Sequence, residues 1–399
     1  MDLSYGAEAE AFREEVREFL GEAWLPGERR GSELKEFIRE FRRAAIERGL
    51  LYRSVPKQYG GSDQPVDVIR AQVIREEFGR ARAPIEVGGN GVNMTVPTLL
   101  EKGTEEQREL FIRKTIEGDY VWGQGYSEPG SGSDLASVRT KGELSPDGTK
   151  WIINGQKIWT SKGMKSTHMF MLVRTEPDAA KHNGITYLLL DLDQPGVTRR
   201  PIRQMTGEAG DHTFCEFFFD NVETPVSWQV GERGQGWYVS RTTLKHERAS
   251  IGSADGLGRQ FSKLLELARE MGRIDDPLVR DRLVEIEGHV LSHRYTSFRL
   301  FSCAAAGDDP GPVKLMMKLL LTEIGHNMAL LAQDLIGEAG MIEPTGARGR
   351  GPRGPNKWLD QIMGSLGNSI AGGTTNIQRN IIGERGLGLP RDLAMSGEK

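Results

Sequence analysis

The stretch GYSEPGSGSDLASVRT, residues 125–140, sets glycines and hydroxyls so densely around Pro129 that it cannot be the interior of a strand. Gly and Ser pack poorly on a pleated surface, and proline removes a ladder donor. It reads as a loop presenting backbone N–H groups and the hydroxyls of Ser127, Ser131 and Ser133, a surface suited to a heterocycle or an anionic ligand. A long hairpin connection is the plainer alternative. Around it, from about 119 to 232, lie short runs of strand formers, KWIING, HMFMLVRTE, GITYLLLDLD and TFCEFFFDNVETP. Asp147-Gly148 and Asn154-Gly155 are read as their hairpin turns. The region is therefore a small antiparallel β domain. Within it, GQKIWTSKG (155–163) places Trp159 and Ser161 on one face of a strand, where an indole and a hydroxyl can meet one planar ligand; a tryptophan that is simply core is the other reading.

Outward from this domain the period becomes helical. Phe12, Val16, Phe19 and Leu20 fall at helical spacing, and Leu34, Phe37, Ile38 and Phe41 repeat the pattern until Gly49. After Gly236 long helical segments return, for example VKLMMKLLLTEIGHNMALLAQDLIG, 313–337. The chain is thus α+β, with an N-terminal helical domain (1–118), the β domain (119–232) and a C-terminal helical domain (233–399). GARGRGPRGPNKW, 346–358, reads as a solvated connection rather than a phosphate loop.

Charge and composition remove several classes of function. A net charge of -4 over 399 residues offers no broad basic footprint for nucleic acid or an anionic membrane. Cys215 and Cys303 stand far apart without metal-ligand spacing, which suits a reducing compartment. The acidic, polar start fits neither a signal nor a transit peptide, and no apolar run approaches the roughly 18 residues of a membrane span. These features predict a cytoplasmic protein without a membrane span. Of the seven histidines, His289 and His293 share an i, i+4 spacing but lack the carboxylate of a zinc helix, so all are read as structural.

A helical block, then YSEPGSGSD, then GQKIWTS, then a second helical block closing with GGTTNIQRNIIGERGLGLPR resembles the acyl-CoA dehydrogenase family of flavoproteins, in order and spacing over essentially the whole chain. The resemblance implies a barrel-like central domain, a C-terminal helical bundle, FAD as cofactor, an acyl-CoA substrate and an electron-transferring flavoprotein as oxidant. It implies an oligomer, as homodimer, homotetramer or mixed assembly of two related chains. Residue by residue, it assigns Ser127 to the flavin pyrimidine edge, Ser161 to the neighbourhood of the reducible nitrogen, Trp159 to the ring face away from substrate and Ser133 to the thioester and pantetheine. Thr374 is assigned to the flavin or its phosphates. The chain departs from the family's RxxFG signature at 268–283, and has Glu338 where a second glycine can follow Gly337.

In many members the catalytic base is a Glu immediately before a Gly-Thr pair; here that position is Gly372. A minority, resembling the isovaleryl-CoA dehydrogenases and bacterial sterol side-chain dehydrogenases, carries the base in the helix after the β domain. Leu244, Glu247 and Arg248 match that pattern. Helical spacing puts Glu247 on a face with Leu244, Ile251 and Ala254, where a carboxylate is desolvated and made more basic. Glu247 is the expected base, Arg248 its support and Gly372 a backbone donor to the thioester carbonyl. A structural ion pair of Glu247 with His246 or Arg248 is the alternative. Loss of a side chain at 372 predicts tolerance of branched or bulky acyl groups. A non-catalytic partner subunit, and an oxidase or monooxygenase on the same scaffold, are the competing functions.

Overall fold

The computed structural model describes residues 5–205, 214–251, 254–338 and 357–390. His212 and all but the last two residues of the 346–358 stretch lie outside them. Contacts group the chain into two units, residues 1–202 with 209–246, and 203–208 with 247–399.

The first unit opens with helices. α1 (Ala7–Ala23) turns Phe12, Val16, Phe19 and Leu20 inward, as their spacing predicts. α2 (Gly31–Glu47) buries Phe41 and Ala45. α3 (Val68–Ala81) starts at Asp67, whose carboxylate accepts the Arg70 N–H at 2.9 Å. α4 (Val96–Lys102) and α5 (Glu105–Glu117) follow. A capping box of Thr104 and Gln107 begins α5, and the same Gln107 amide donates to the carbonyls of Ser227 and Gln229 at 2.8 and 2.7 Å. One buried side chain thus closes a helix end and ties it to the sheet domain.

Among the described residues that domain has eight strands: β1 (Trp122–Gly125), β2 (Lys141–Leu144), β3 (Lys150–Ser161), β4 (His168–Arg174), β5 (Ile185–Asp191), β6 (Val197–Pro201), β7 (Phe214–Pro225) and β8 (Gln229–Val230). Their order is β6-β7-β3-β2-β4-β5-β8, with β1 paired to β4. Most pairs are antiparallel, but β1 runs parallel to β4 from Trp122↔His168 to Gly125↔Met171, and β2 meets β4 in parallel at Lys141↔Arg174. Since β5 occupies the other edge of β4, β1 and β2 lie end to end along one edge. The connection between them, residues 126–140, must leave the sheet and return to it. β4 and β5 are buried on both faces: Phe170, Leu172, Tyr187 and Leu189 join the core of the N-terminal helices, while Met169, Met171, Leu188 and Leu190 pack against β3 and β7.

The structure corrects one turn assignment. Asp147-Gly148 does join β2 to β3, with Gly148 at φ +70°, but Asn154-Gly155 lies inside β3 at a bulge against β7. Asn154 Oδ1 accepts the Asn221 N–H there at 2.8 Å. A Cβ on Gly155 would come within 2.7 Å of Thr140 Cα, so glycine serves close approach rather than chain reversal.

α6 (Gly236–Ile251) belongs to the first unit up to His246 and to the second from Glu247. The second unit continues with α7 (Ala254–Glu270), α8 (Pro277–Ala306), α9 (Met317–Ile336), α10 (Lys357–Ile370) and α11 (Thr375–Ile381). Leu264, Ala268, Ile286, Met328, Leu331 and Leu335 are among its core residues. No described helix is long and apolar enough to cross a membrane.

Packing of α1 on α3 carries a buried charge. The Glu77 carboxylate, 1% exposed, meets Arg13 at 2.7 Å and Arg17 at 3.0 Å. Burial alone would raise its pKa, but hydrogen bonds from Arg17 and Arg13 outweigh that and hold it below the usual carboxylate range. A depressed folded-state pKa contributes stability that is complete above the unfolded value of roughly 4.3 and is lost as pH falls below it. Glu77→Ala, which leaves Arg13 buried without this partner, is expected to lower the unfolding free energy by about 3 kcal/mol at neutral pH. Chemical denaturation measured from pH 7 down to about 2.5 checks it; a loss equally large at both ends contradicts the ion-pair origin.

Candidate active site

In the first unit, the 126–140 loop is held by two buried groups that its composition does not advertise. Lys157 on β3, fully buried, donates to Glu128 Oε1 at 2.8 Å and to the Tyr126 carbonyl at 3.2 Å. Glu128 also accepts the N–H groups of Arg139 and Thr140 at 2.7 and 2.9 Å. Burial pulls the Lys157 ammonium down to about 8 against the pull of Glu128. Burial pushes Glu128 the other way, and the charge and hydrogen bond of Lys157 with two backbone donors overcome it, so both groups are charged at neutral pH. Between the two clamped residues sits Ser127, half-buried, whose carbonyl accepts the Ile158 N–H at 2.9 Å.

Just beyond Lys157 a second bulge in β3 turns Trp159 into left-handed backbone, φ +67°. Its indole is 53% exposed, not core, and stands edge-on to Phe214 at 5.9 Å. Thr160 points inward, its hydroxyl on the Gln124 carbonyl at 3.0 Å, which leaves Ser161 exposed on the side of Trp159. Trp159 and Ser161 are both exposed, although the bulge, which turns Lys157 and Thr160 both inward, breaks the simple alternation of the strand. Ser133 is exposed on the loop. Ser131 is not available as expected: it is 3% exposed, and its hydroxyl donates to the Asp134 carbonyl at 2.8 Å, closing the loop's own turn. A rigid exposed indole with hydroxyls at its margin is the surface a planar, hydrogen-bonding heterocycle needs, so these residues fit the isoalloxazine of FAD. Beside Ser161 lies a recess of about 170 Å³, walled by Gly88, Gly89, Asn90, Gly91 and Tyr120.

In the second unit, Glu247 is half-buried on α6. Leu244 and Ile251 share that helix, and Ala254 is the first residue of α7, with residues 252 and 253 outside those described. His246 is engaged elsewhere, with Nε2 2.7 Å from Glu101. Arg248 follows on α6, its side chain outside the described residues. After α10, Gly372 and Gly373 both adopt left-handed backbone, φ +64° and +91°, a conformation that favours glycine. Gly372 is exposed. Thr374 is the N-cap of α11, its hydroxyl oxygen accepting the Ile377 N–H at 3.3 Å.

Histidine chemistry is absent from this set. His289 is exposed whereas His293 is buried, so the pair does not share a site, and among the described residues no cluster of His, Cys, Asp and Glu could hold a metal.

Three sequence models of the acyl-CoA dehydrogenase family, for its N-terminal, middle and C-terminal domains, match residues 6–119, 123–222 and 234–387. Acyl-CoA dehydrogenase IpdE1 of Mycobacterium tuberculosis is 38% identical over 402 residues, spanning 96% of this chain and 99% of the relative. Among solved structures, the Tcur3481-Tcur3483 steroid ACAD matches with TM-score 0.76 and 28% identity, covering 98% of this chain and 100% of the other. The ChsE4-ChsE5 complex from Mycobacterium tuberculosis matches with the same TM-score, identity and coverage. The chain belongs to the acyl-CoA dehydrogenase family, whose members are FAD-dependent oxidoreductases.

Lys157→Met leaves Glu128 buried without its cation and is expected to cost about 3–5 kcal/mol of stability. Adding Glu128→Gln removes the stranded charge but keeps one acceptor oxygen where the carboxylate offers two, to Arg139 and to Thr140, so it is expected to recover part of that and not all of it. Equilibrium unfolding in urea of both variants checks this; a double variant no more stable than the single one contradicts it.

Proposed function

We propose that this enzyme introduces a trans-2,3 double bond into a bulky, ring-bearing acyl-CoA, with Glu247 as the base that takes the C2 proton. The observation that carries this reading is the left-handed diglycine turn at 372–373, which presents backbone and no carboxylate where many family members place their base. The half-buried carboxylate on α6 supplies what the turn lacks.

The C2 proton of a thioester is weakly acidic, so the site must stabilise negative charge on the carbonyl oxygen while a base accepts the proton. Gly372 N–H donates to that oxygen, Glu247 removes the proton and Arg248 supports the base. Bound FAD supplies the acceptor for the hydride that leaves C3. Ser127, Ser161, Trp159 and Thr374 would hold the flavin, the serines by hydrogen bonds and Trp159 by packing, and Ser133 would contact the thioester and pantetheine. Residues 1–118, 119–232 and 233–399 would share these tasks as three domains.

One feature favours a large acyl group: the absent side chain at 372. The name of one similar structure, a steroid ACAD, supports a fused-ring substrate. An electron-transferring flavoprotein is the natural acceptor for such an enzyme. Because two similar structures are named as pairs of chains, a second reading has this chain work within a mixed assembly beside a related subunit.

Anaerobic titration of the purified flavoprotein with straight, branched and steroid-like acyl-CoAs tests the proposal. Ring-bearing substrates should bleach the flavin, and Glu247→Gln should bind them with bleaching slowed about 100-fold or more. Bleaching by straight chains alone sinks the substrate assignment, and equal bleaching of both proteins sinks the base. A colourless protein that becomes yellow only on mixing with a related chain favours the mixed assembly.

A further inference from the structure

The C-terminal unit holds a buried cation that the reaction scheme above does not use. Lys318 stands in the first turn of α9, in the apolar run MMKLLL, and is 8% exposed. Its ammonium donates to the Gly373 carbonyl at 2.8 Å, and no carboxylate pairs with it among the described residues. Burying a cation against one neutral acceptor is costly, and burial indeed lowers its pKa. A second buried donor acts beside it: Gln378, 4% exposed, gives its Nε2–H to the Gly372 carbonyl at 3.1 Å. That amide lies so close to Gly373 that a Cβ there would come within 2.7 Å of Nε2.

Two adjacent glycines in a turn would otherwise sample a wide range of backbone angles. Here the Ala371 N–H is fixed to the Gly367 carbonyl at 2.9 Å on one side, and both glycine carbonyls are fixed on the other. The Gly372 N–H is bracketed between anchored peptide groups. The Lys318 ammonium on α9 is held against this turn by the Gly373 carbonyl, where a positive charge favours negative charge developing on a bound ligand.

We infer that Lys318 and Gln378 are positioning residues for the Gly372 donor, and that Lys318 makes this turn an anion-stabilising element for the enolate formed on proton removal. The inference rests on the reading of Gly372 as the donor to the thioester carbonyl. A 3-oxoacyl-CoA separates the two, because it loses a C2 proton to solvent and becomes an enolate with no oxidant involved.

The experiment binds acetoacetyl-CoA to the holoenzyme and follows enolate ultraviolet absorbance against pH, for wild type and Lys318→Met, with flavin content and melting temperature as controls for folding. Wild type should lower the ligand's pKa relative to free acetoacetyl-CoA. Lys318→Met should bring it back up by about one unit or more, with kcat reduced about tenfold or more and KM little changed. If wild type does not lower the ligand's pKa, the Gly372 reading itself fails. If wild type lowers it and Lys318→Met lowers it equally with kcat intact, this inference is overturned while Gly372 stands. Should Lys318→Met not fold, Gln378→Leu is read in the same way: a raised ligand pKa supports the positioning role and an unchanged one rejects it.

Discussion

The ion pair between Lys157 and Glu128 is the constraint from which the surface carrying Ser127 and Trp159 follows. β1 and β2 share one edge of β4, so the connection between them has to leave the sheet, and a segment rich in glycine and serine has little of its own to hold a shape. The buried ammonium grips it on both sides of Ser127, and the strand that carries that ammonium bulges two residues later to present Trp159. Loop and indole are thus registered to each other through one side chain. A buried pair of this kind gains little net stability over an apolar replacement. Its contribution here is geometric, since the same two charges fix where a hydroxyl and an aromatic face lie.

Much of this was legible in the sequence. Helical spacing marked the inward face of α1, strand formers marked β3, β4, β5 and β7, and two dense motifs marked the loop and the tryptophan strand. What escaped did so for identifiable reasons. Asn154-Gly155 has the composition of a hairpin turn, but the glycine serves approach to Thr140 within a continuous strand. Ser131 has the hydroxyl of a binding residue and spends it on the loop's own turn. Lys157 and Lys318 went unremarked although each leaves a signal, a lysine at an inward strand position and a lysine in an apolar run. A buried lysine is uncommon enough that such positions merit attention before any coordinates exist.

The two halves of the proposed chemistry belong to different units of the chain. The heterocycle-binding surface is built on strands and their bulges, whose geometry is set by ladder hydrogen bonds and a packed core. The charge-handling elements, Glu247 on α6 and the 372–373 turn, belong to a helical unit in which helix ends define position. In the proposed scheme, backbone at 372 takes over work that a side chain performs in many members of the family, and the carboxylate comes from another helix. Such an exchange is chemically permissible because proton abstraction requires a carboxylate at the carbon and does not specify the element that carries it.

Moving the base back tests that exchange most directly. Turnover of the best acyl-CoA would be compared for wild type, Glu247→Gln, and Glu247→Gln combined with Gly372→Glu, with flavin content verified in each. The account predicts that the single variant loses about 100-fold or more in kcat and that the double variant regains a measurable part of it. The regain will be limited by the cost of about 1–2 kcal/mol of placing a side chain in left-handed backbone. Undiminished turnover in Glu247→Gln would contradict the account outright.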